Sequence, residues 1–506
     1  MKMTRINRGS YIQGQFVKVT DVNGTVTSRN PGDLEQSEVA VSFSFDHINE
    51  AVSAARHCFS IWKRMPASDR YAAILRYRNA LNARAEEVTQ LISFETGKPL
   101  WEAYDELSET LTIIDYWLDN SKHPPQMLNI ENAYDQMNGV VRFLPHGVLT
   151  VICPSILPVF APHFHMIAAL AYGNTIVLKS PQYAPATCQC IAEIVHQAGL
   201  PAGAINIIHG DAEVGRRLVS HHGIDGILFS GSYEIGLKIK KQILSDYWKM
   251  AVLVMGGKNG QIIWDDCYYK KALHESLYSA FVTTGQRSTS TSSLLVHDKI
   301  FDRFLEDFHS LSKKCRIGYG LVSDESKAPF MGPMLNEEVL EHYLRYQGIA
   351  TREGCEEIMR GKPLEKEKRG YYVSPSIHVV NRIDPKSVYQ KEEILGPNVA
   401  FYRIKDLEEA IEIINQTQHG LVCSLYSAKQ ENYLKLVEEV KVGALHWNRP
   451  TVEMPVQLPM GGIKKSGNHR PVGSFATYQC TYPLGSLEDK GQTESSRLPK
   501  QLPRLE

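Results

Sequence analysis

The chain has 506 residues, 43% hydrophobic and 22% charged, an ordinary balance for a soluble globular protein and enough length for two or three domains with a large core. Its formal net charge of -1 gives no electrostatic footprint for nucleic acid or an anionic membrane surface. Nine cysteines, an odd number, are scattered with no C-x-x-C spacing, and Cys188 and Cys190 would point apart on a helix. They read as reduced thiols of a cytoplasmic protein, with neither a disulfide framework nor a metal site.

In chain order, the N-terminal residues Met1 to Arg8 are basic but carry no apolar stretch, so no secretory signal is expected. Long helices are predicted at 48–65 and 68–95. From position 148 short apolar runs alternate with amphipathic segments: strands at 148–153, 175–179, 205–209 and 226–230, helices at 163–172, 185–199 and 212–221. This alternation predicts a parallel, Rossmann-type sheet. The apolar stretch 148–178 could be taken for a membrane span, but Pro154, Pro158, Pro162, His163 and His165 interrupt it. Strand, turn, helix and second strand is the reading, and no membrane association is expected. After Met255 a second α/β set begins, with a helix near 270–281, a strand near 294–296 and a helix near 300–314. The polar, proline-containing end, 489–506, reads as a disordered tail.

Several motifs occur together. They are Glu95-Thr-Gly-Lys-Pro99, Pro145-His-Gly-Val148, Gly173-Asn-Thr175 with Lys179, Ala198-Gly-Leu-Pro201 and Phe229-Ser-Gly-Ser-Tyr-Glu-Ile-Gly236. Met255-Gly-Gly-Lys-Asn259, Glu392-Glu-Ile-Leu-Gly-Pro397 and Trp447-Asn448 follow. In this order, over nearly the whole chain, they resemble the aldehyde dehydrogenase superfamily. The run Gly461-Gly-Ile-Lys-Lys-Ser-Gly-Asn-His-Arg-Pro471, and Gly285-Gln-Arg287 followed by Ser-Thr-Ser, look most like its N-succinylglutamate 5-semialdehyde dehydrogenase branch, of bacterial arginine catabolism.

The resemblance implies a fold and its boundaries: an NAD-binding Rossmann-like domain at 1–120 and 140–254 and a catalytic α/β domain at 255–445. It further implies a β-flap at 121–139 and 466–488 that pairs subunits into homodimers or homotetramers. NAD is the implied cofactor. Gly231, Ser232 and Gly236 would form the turn and helix start under its pyrophosphate, where backbone N–H groups and the helix dipole attract phosphate. Lys179 matches the lysine that bonds the adenosine ribose, and Glu393 the glutamate that holds the nicotinamide ribose. Gln182 puts a neutral group where a charged acceptor is usual, and Leu395 stands where a phenylalanine packs by the nicotinamide. Both imply weakened cofactor binding.

The family's chemistry needs a cysteine nucleophile, an asparagine oxyanion donor and a glutamate base. Ser288, Ile156 and Met255 stand at the matching positions. A hydroxyl needs an adjacent base to become nucleophilic, isoleucine has no donor, and methionine takes no proton. Three readings stay open. The first is an inactive homologue that serves as a nucleotide-binding scaffold, regulator or sensor. The second is an active oxidoreductase on N-succinylglutamate semialdehyde or another aldehyde. The third is a serine ester or thioester hydrolase, with His446 as the base for Ser288. Cys153 and Cys423 read as core thiols. Arg287 and Arg470 are candidates for binding substrate carboxylates, although Arg470 reads more readily as an interface or structural residue, and the resemblance puts His446 at the border of the substrate tunnel as a further substrate-binding candidate.

Overall fold

The computed structural model describes residues 8–119, 127–134, 137–324, 326–488 and 501–503. A seven-stranded sheet runs in the order Met250–Met255, Gly226–Gly231, Val148–Ile152, Thr175–Lys179, Ile205–Ile208, Ser10–Ile12, Gln15–Val17. Its first five strands are parallel, and the N-terminal hairpin joins antiparallel at the far edge. These five are near-continuous apolar runs, as strands covered by helices on both faces must be. The chain winds one way from Val148–Ile152 through Thr175–Lys179 and returns to its other side at Gly226–Gly231. A crevice opens at the carboxyl ends of strands where the winding direction reverses.

A second seven-stranded sheet runs Glu356–Met359, Ser376–Val379, Asn398–Ile404, Thr291–His297, Asn259–Ile263, Val422–Tyr426, Ala444–Trp447. All its neighbours are parallel except the edge pair Glu356–Met359 and Ser376–Val379. Only Gly256, Gly257 and Lys258 separate Met250–Met255 of the first sheet from Asn259–Ile263 of the second. A third, antiparallel sheet pairs Met137–Pro145 with Met127–Tyr134 on one side and Thr481–Glu488 on the other. It leaves Met127, Leu128, Ile130, Leu484 and Leu487 exposed. The nine cysteines are free thiols. Among the described residues no helix is long and apolar enough to cross a membrane, and no group of three or more acidic, His or Cys side chains is arranged to hold a metal ion. The expected tail lies outside the described residues except 501–503, as do 121–126 and 135–136 of the expected flap.

Two helical expectations need correction. The segment 68–95 is two helices, Ala67–Ala83 and Ala85–Thr96, broken at Arg84, whose φ/ψ is −108°/23°. Arg84 is pinned there by Glu87 and Glu193, at 2.7 and 2.8 Å. A third helix, Leu100–Leu118, was not among the expected elements, although Pro99 ahead of it and apolar residues at 103, 107, 113, 114 and 117 mark one. This helix positions the site. Glu106, on its buried face, accepts the N–H groups of Val159 and Phe160 at 2.9 and 3.0 Å and so caps the helix Phe160–Ala171. The buried Lys98 ammonium neutralises its other oxygen.

Candidate active site

A cavity of about 160 Å³ opens at the crevice between the two sheets. One wall is the turn after Val148–Ile152, with Pro154, Ile156 and Leu157, running into Phe160, Ala161 and Phe164. These last three sit at i, i+1 and i+4, one face of the capped helix. Ser230, Gly231 and Ser232, at the end of the adjacent strand, form a second wall. Gln286, Arg287 and Ser288 close the third side, and Glu393 and Leu395 line the mouth.

The turn carrying Ser288 is strained and heavily braced. Thr283, Thr284 and Gly285 are left-handed in succession, with φ of 57°, 54° and 67°. A β-branched residue there costs on the order of 1–3 kcal/mol, so surrounding contacts must hold it. The Thr283 hydroxyl donates to Glu102 and accepts the Arg287 Nε–H at 2.7 Å. Thr284 donates to the Gly332 carbonyl at 3.0 Å, and the Gln286 amide spans the Thr283 carbonyl and the Leu335 N–H. A Cβ on Gly285 would overlap the Gly396 carbonyl, and only glycine allows this close approach. Asn259 Nδ2 holds the Ser288 and Ser290 carbonyls at 2.7 and 2.9 Å. Ser288 is thus fixed at the cavity wall, half-buried, yet among the described residues no histidine or carboxylate hydrogen-bonds its hydroxyl.

Ile156, 9% exposed, presents only hydrocarbon to the cavity. Met255 does not line it. Its N–H bonds the Ser466 carbonyl at 3.0 Å, and its thioether fills the space beside Gly236, in the apolar cluster of Phe229, Ile239 and Leu253. Gly236 is required by this packing, because a Cβ there would collide with the Met255 sulfur. Ser232 starts the helix Tyr233–Gln242 as its N-cap, accepting the Ile235 N–H at 3.4 Å.

Glu393 lies over Gly256. Its Oε1 accepts the Gly257 N–H at 3.1 Å, and a Cβ on Gly256 would overlap the carboxylate. Burial lifts the Glu393 carboxyl to about 7, against the pull of the Gly257 N–H and of Lys258. Burial also lowers Lys258 to about 8, with its ammonium on the Tyr389 carbonyl at 2.9 Å.

The chain matches the model of the aldehyde dehydrogenase family over residues 17–483. It belongs to that family. It is 32% identical to an N-succinylglutamate 5-semialdehyde dehydrogenase of Legionella pneumophila (strain Paris), over 97% of each chain. It is 31% identical to one of Novosphingobium aromaticivorans, over 87% of this chain and 92% of that one. Among solved structures, an NAD-dependent aldehyde dehydrogenase from Sinorhizobium meliloti superposes with a TM-score of 0.91 at 26% identity, covering 97% of both chains. A betaine aldehyde dehydrogenase double mutant from Staphylococcus aureus, in complex with NAD+, gives 0.90 at 25%, covering 99% of this chain and all of that one.

Of the remaining candidates in this aldehyde dehydrogenase-family chain, all but Arg287 fall off the cavity wall. Lys179 is buried and lowered to about 8 by desolvation, its ammonium donating to the Ser180 and Gly210 carbonyls at 2.8 and 2.9 Å. Gln182 is half-buried outside the lining. His446 pairs through Nδ1 with the Pro450 carbonyl at 2.8 Å and makes no hydrogen bond to Ser288 among the described residues. Arg470 is exposed, bonded to Gln479 at 3.3 Å, lying by His146 and outside the cavity lining. Arg287 does line the cavity, with Nε on the Thr283 hydroxyl and Nη2 3.5 Å from Glu102. Cys153 and Cys423 are buried, and desolvation pushes both thiols up.

Sequence reasoning missed two parts of this site. One is the apolar lining from Phe160, Phe164, Met460 and Val472, of which only the first two share a readable helical spacing. The other is the buried pair of Ser230 and His165, whose Oγ and Nε2 lie 2.7 Å apart.

Proposed function

We propose that this chain has lost aldehyde oxidation and keeps the family cleft as a nucleotide-binding scaffold with a regulatory or sensing role. One observation carries the reading. Ser288 and Ile156 face the cavity with no thiol and no oxyanion donor, while Met255 is packed away against Gly236. Losing one oxyanion donor typically costs about 10²–10³ in turnover and losing a general base about 10²–10⁴. These terms are not additive, but loss of the nucleophile leaves little of the mechanism.

The cleft suits a dinucleotide. The helix starting at Ser232 offers backbone N–H groups for a diphosphate, and the Glu393 carboxylate and Lys179 ammonium are suited to ribose hydroxyls. When bound, nicotinamide would supply a hydride acceptor. Glu393 keeps an acceptor at the cavity mouth, and Leu395 gives a smaller apolar contact there than an aromatic ring. The apolar three-stranded sheet is the surface through which we expect copies to pair into dimers or tetramers.

The test is NADH formation from NAD and either N-succinylglutamate semialdehyde or the uncharged benzaldehyde, by wild type and by the triple variant Ser288→Cys, Ile156→Asn, Met255→Glu. A wild type silent on both, beside a triple variant active on benzaldehyde, is the expected result. Wild-type turnover at ordinary rates, about 1–10³ per second, would overturn the proposal.

A further inference from the structure

The cavity has the wall of a site for an uncharged ligand. Hydrocarbon from Ile156, Leu157, Phe160, Phe164, Met460 and Val472 makes most of it. We propose that it takes a small, uncharged, largely apolar molecule with one hydrogen-bond acceptor, of the class of an aryl or alkyl ketone. The proposal rests on reading this cavity as the ligand site of the cleft, and it deepens that reading by excluding the relatives' doubly charged substrate class.

Size is the first argument. A volume of about 160 Å³ matches apolar cavities of about 150 Å³, which stay dry and accept benzene. Charge is the second. A succinylated amino-acid semialdehyde carries two carboxylates, and each would need a cation on the wall. Arg287 is the single cation in the lining, and its Nε and Nη2 are spent on Thr283 and Glu102. Asp105 and Glu109 add negative charge around it, and Glu393 stands on the same cavity wall. An incoming dianion therefore meets one cation, already paired with Glu102, and carboxylates on both sides of it.

The acceptor follows from Ser230. His165 is 2% exposed and held neutral, near 4, by burial, and its Nδ1 has no partner. A buried N–H without an acceptor is rarer and costlier than a bare lone pair, so the ring proton belongs on Nε2, donating to Ser230 Oγ. The Ser230 hydroxyl proton is then free for a ligand oxygen in the cavity it lines.

Calorimetric titration of the wild type with acetophenone, ethylbenzene and N-succinylnorvaline tests this. The last is the dianionic isostere of the semialdehyde without its reactive carbonyl. Acetophenone is expected to bind roughly tenfold tighter than N-succinylnorvaline, and several-fold tighter than ethylbenzene. Ser230→Ala should remove the preference over ethylbenzene, and Ala161→Phe, which fills the cavity, should weaken acetophenone roughly tenfold. Tighter binding of N-succinylnorvaline, or no binding of acetophenone, overturns the proposal. The wild-type ranking decides alone, so a variant that fails to fold does not blunt the test. No step reads turnover, so its outcome is separate from that of the dehydrogenase assay.

Discussion

Two halves of one cleft are built from different materials. The half we propose for the cofactor is largely backbone: the Gly231–Ser232 turn, the N-terminus of Tyr233–Gln242, and the gap over Gly256 that admits Glu393. The half we propose once held the chemistry is side chain: whatever stands at 156, 255 and 288. In the first half the fold and a ligand make the same demands. Gly236 gives room to Met255 and Gly256 to Glu393, so each glycine is required whether or not a nucleotide binds. In the second half the fold asks only for groups that fit. Ile156 packs on a wall, Met255 fills an apolar gap, and Ser288 ends a turn held by other residues. Chemistry made of side chains can leave this scaffold without disturbing it.

The largest test of that contrast is Glu102→Ala. Glu102 holds both the strained Thr283 and the Arg287 guanidinium, and is 1% exposed. Stripping one partner from a buried charge costs roughly 3–5 kcal/mol. The neighbouring Asp105 and Glu109 pull the expected loss toward about 3 kcal/mol. Urea denaturation measures it, and a change under about 1 kcal/mol would mean the turn needs no such brace. Gly285→Ala should follow at roughly 2–3 kcal/mol, from a side chain at φ 67° pressed on the Gly396 carbonyl.

What was legible in the sequence follows the same division. Apolar runs alternating with helices gave the parallel sheet from 148 to 230, because strands buried on both faces leave a continuous apolar signature. The residues at 156, 255 and 288, which we propose replace the catalytic groups, were readable as letters. Where their side chains go was not: that Met255 turns to Gly236 depends on packing between a strand and the helix before it. The contact of His446 with Pro450 was hidden for a similar reason, since the turn that returns Pro450 to the ring is set by tertiary packing. The break at Arg84 was hidden too, because Glu193, more than a hundred residues away, helps to set it.

Glu393 provides a smaller and pH-dependent contrast. Its carboxyl stands near 7 in the folded chain against an ordinary 4.5, so the folded state binds the proton more tightly. Its contribution to stability is therefore fully present below about 4.5 and is lost as pH rises through 7. Glu393→Gln keeps an acceptor for the Gly257 N–H but removes the titration. The variant should gain on the order of 2 kcal/mol over wild type between pH 4.5 and pH 8. Equal stability differences at both pH values, by denaturant melts, would show that water reaches the carboxylate.

Ser288→Ala should do least. The side chain is half-buried, its hydroxyl has no hydrogen bond to a histidine or carboxylate among the described residues, and the Asn259 amide grips its carbonyl, which alanine retains. Stability should change by no more than about 0.5 kcal/mol, as for a surface position away from special features. Ser288→Cys should do the same, a sulfur being accommodated at the cavity wall. A loss of about 2 kcal/mol in either variant would mean that the hydroxyl has a structural partner after all, and that the fold itself constrains the catalytic half. A neutral result in both, beside the large cost at Glu102 and Gly285, would locate the constraint in the turn that presents residue 288 and not in the group it presents.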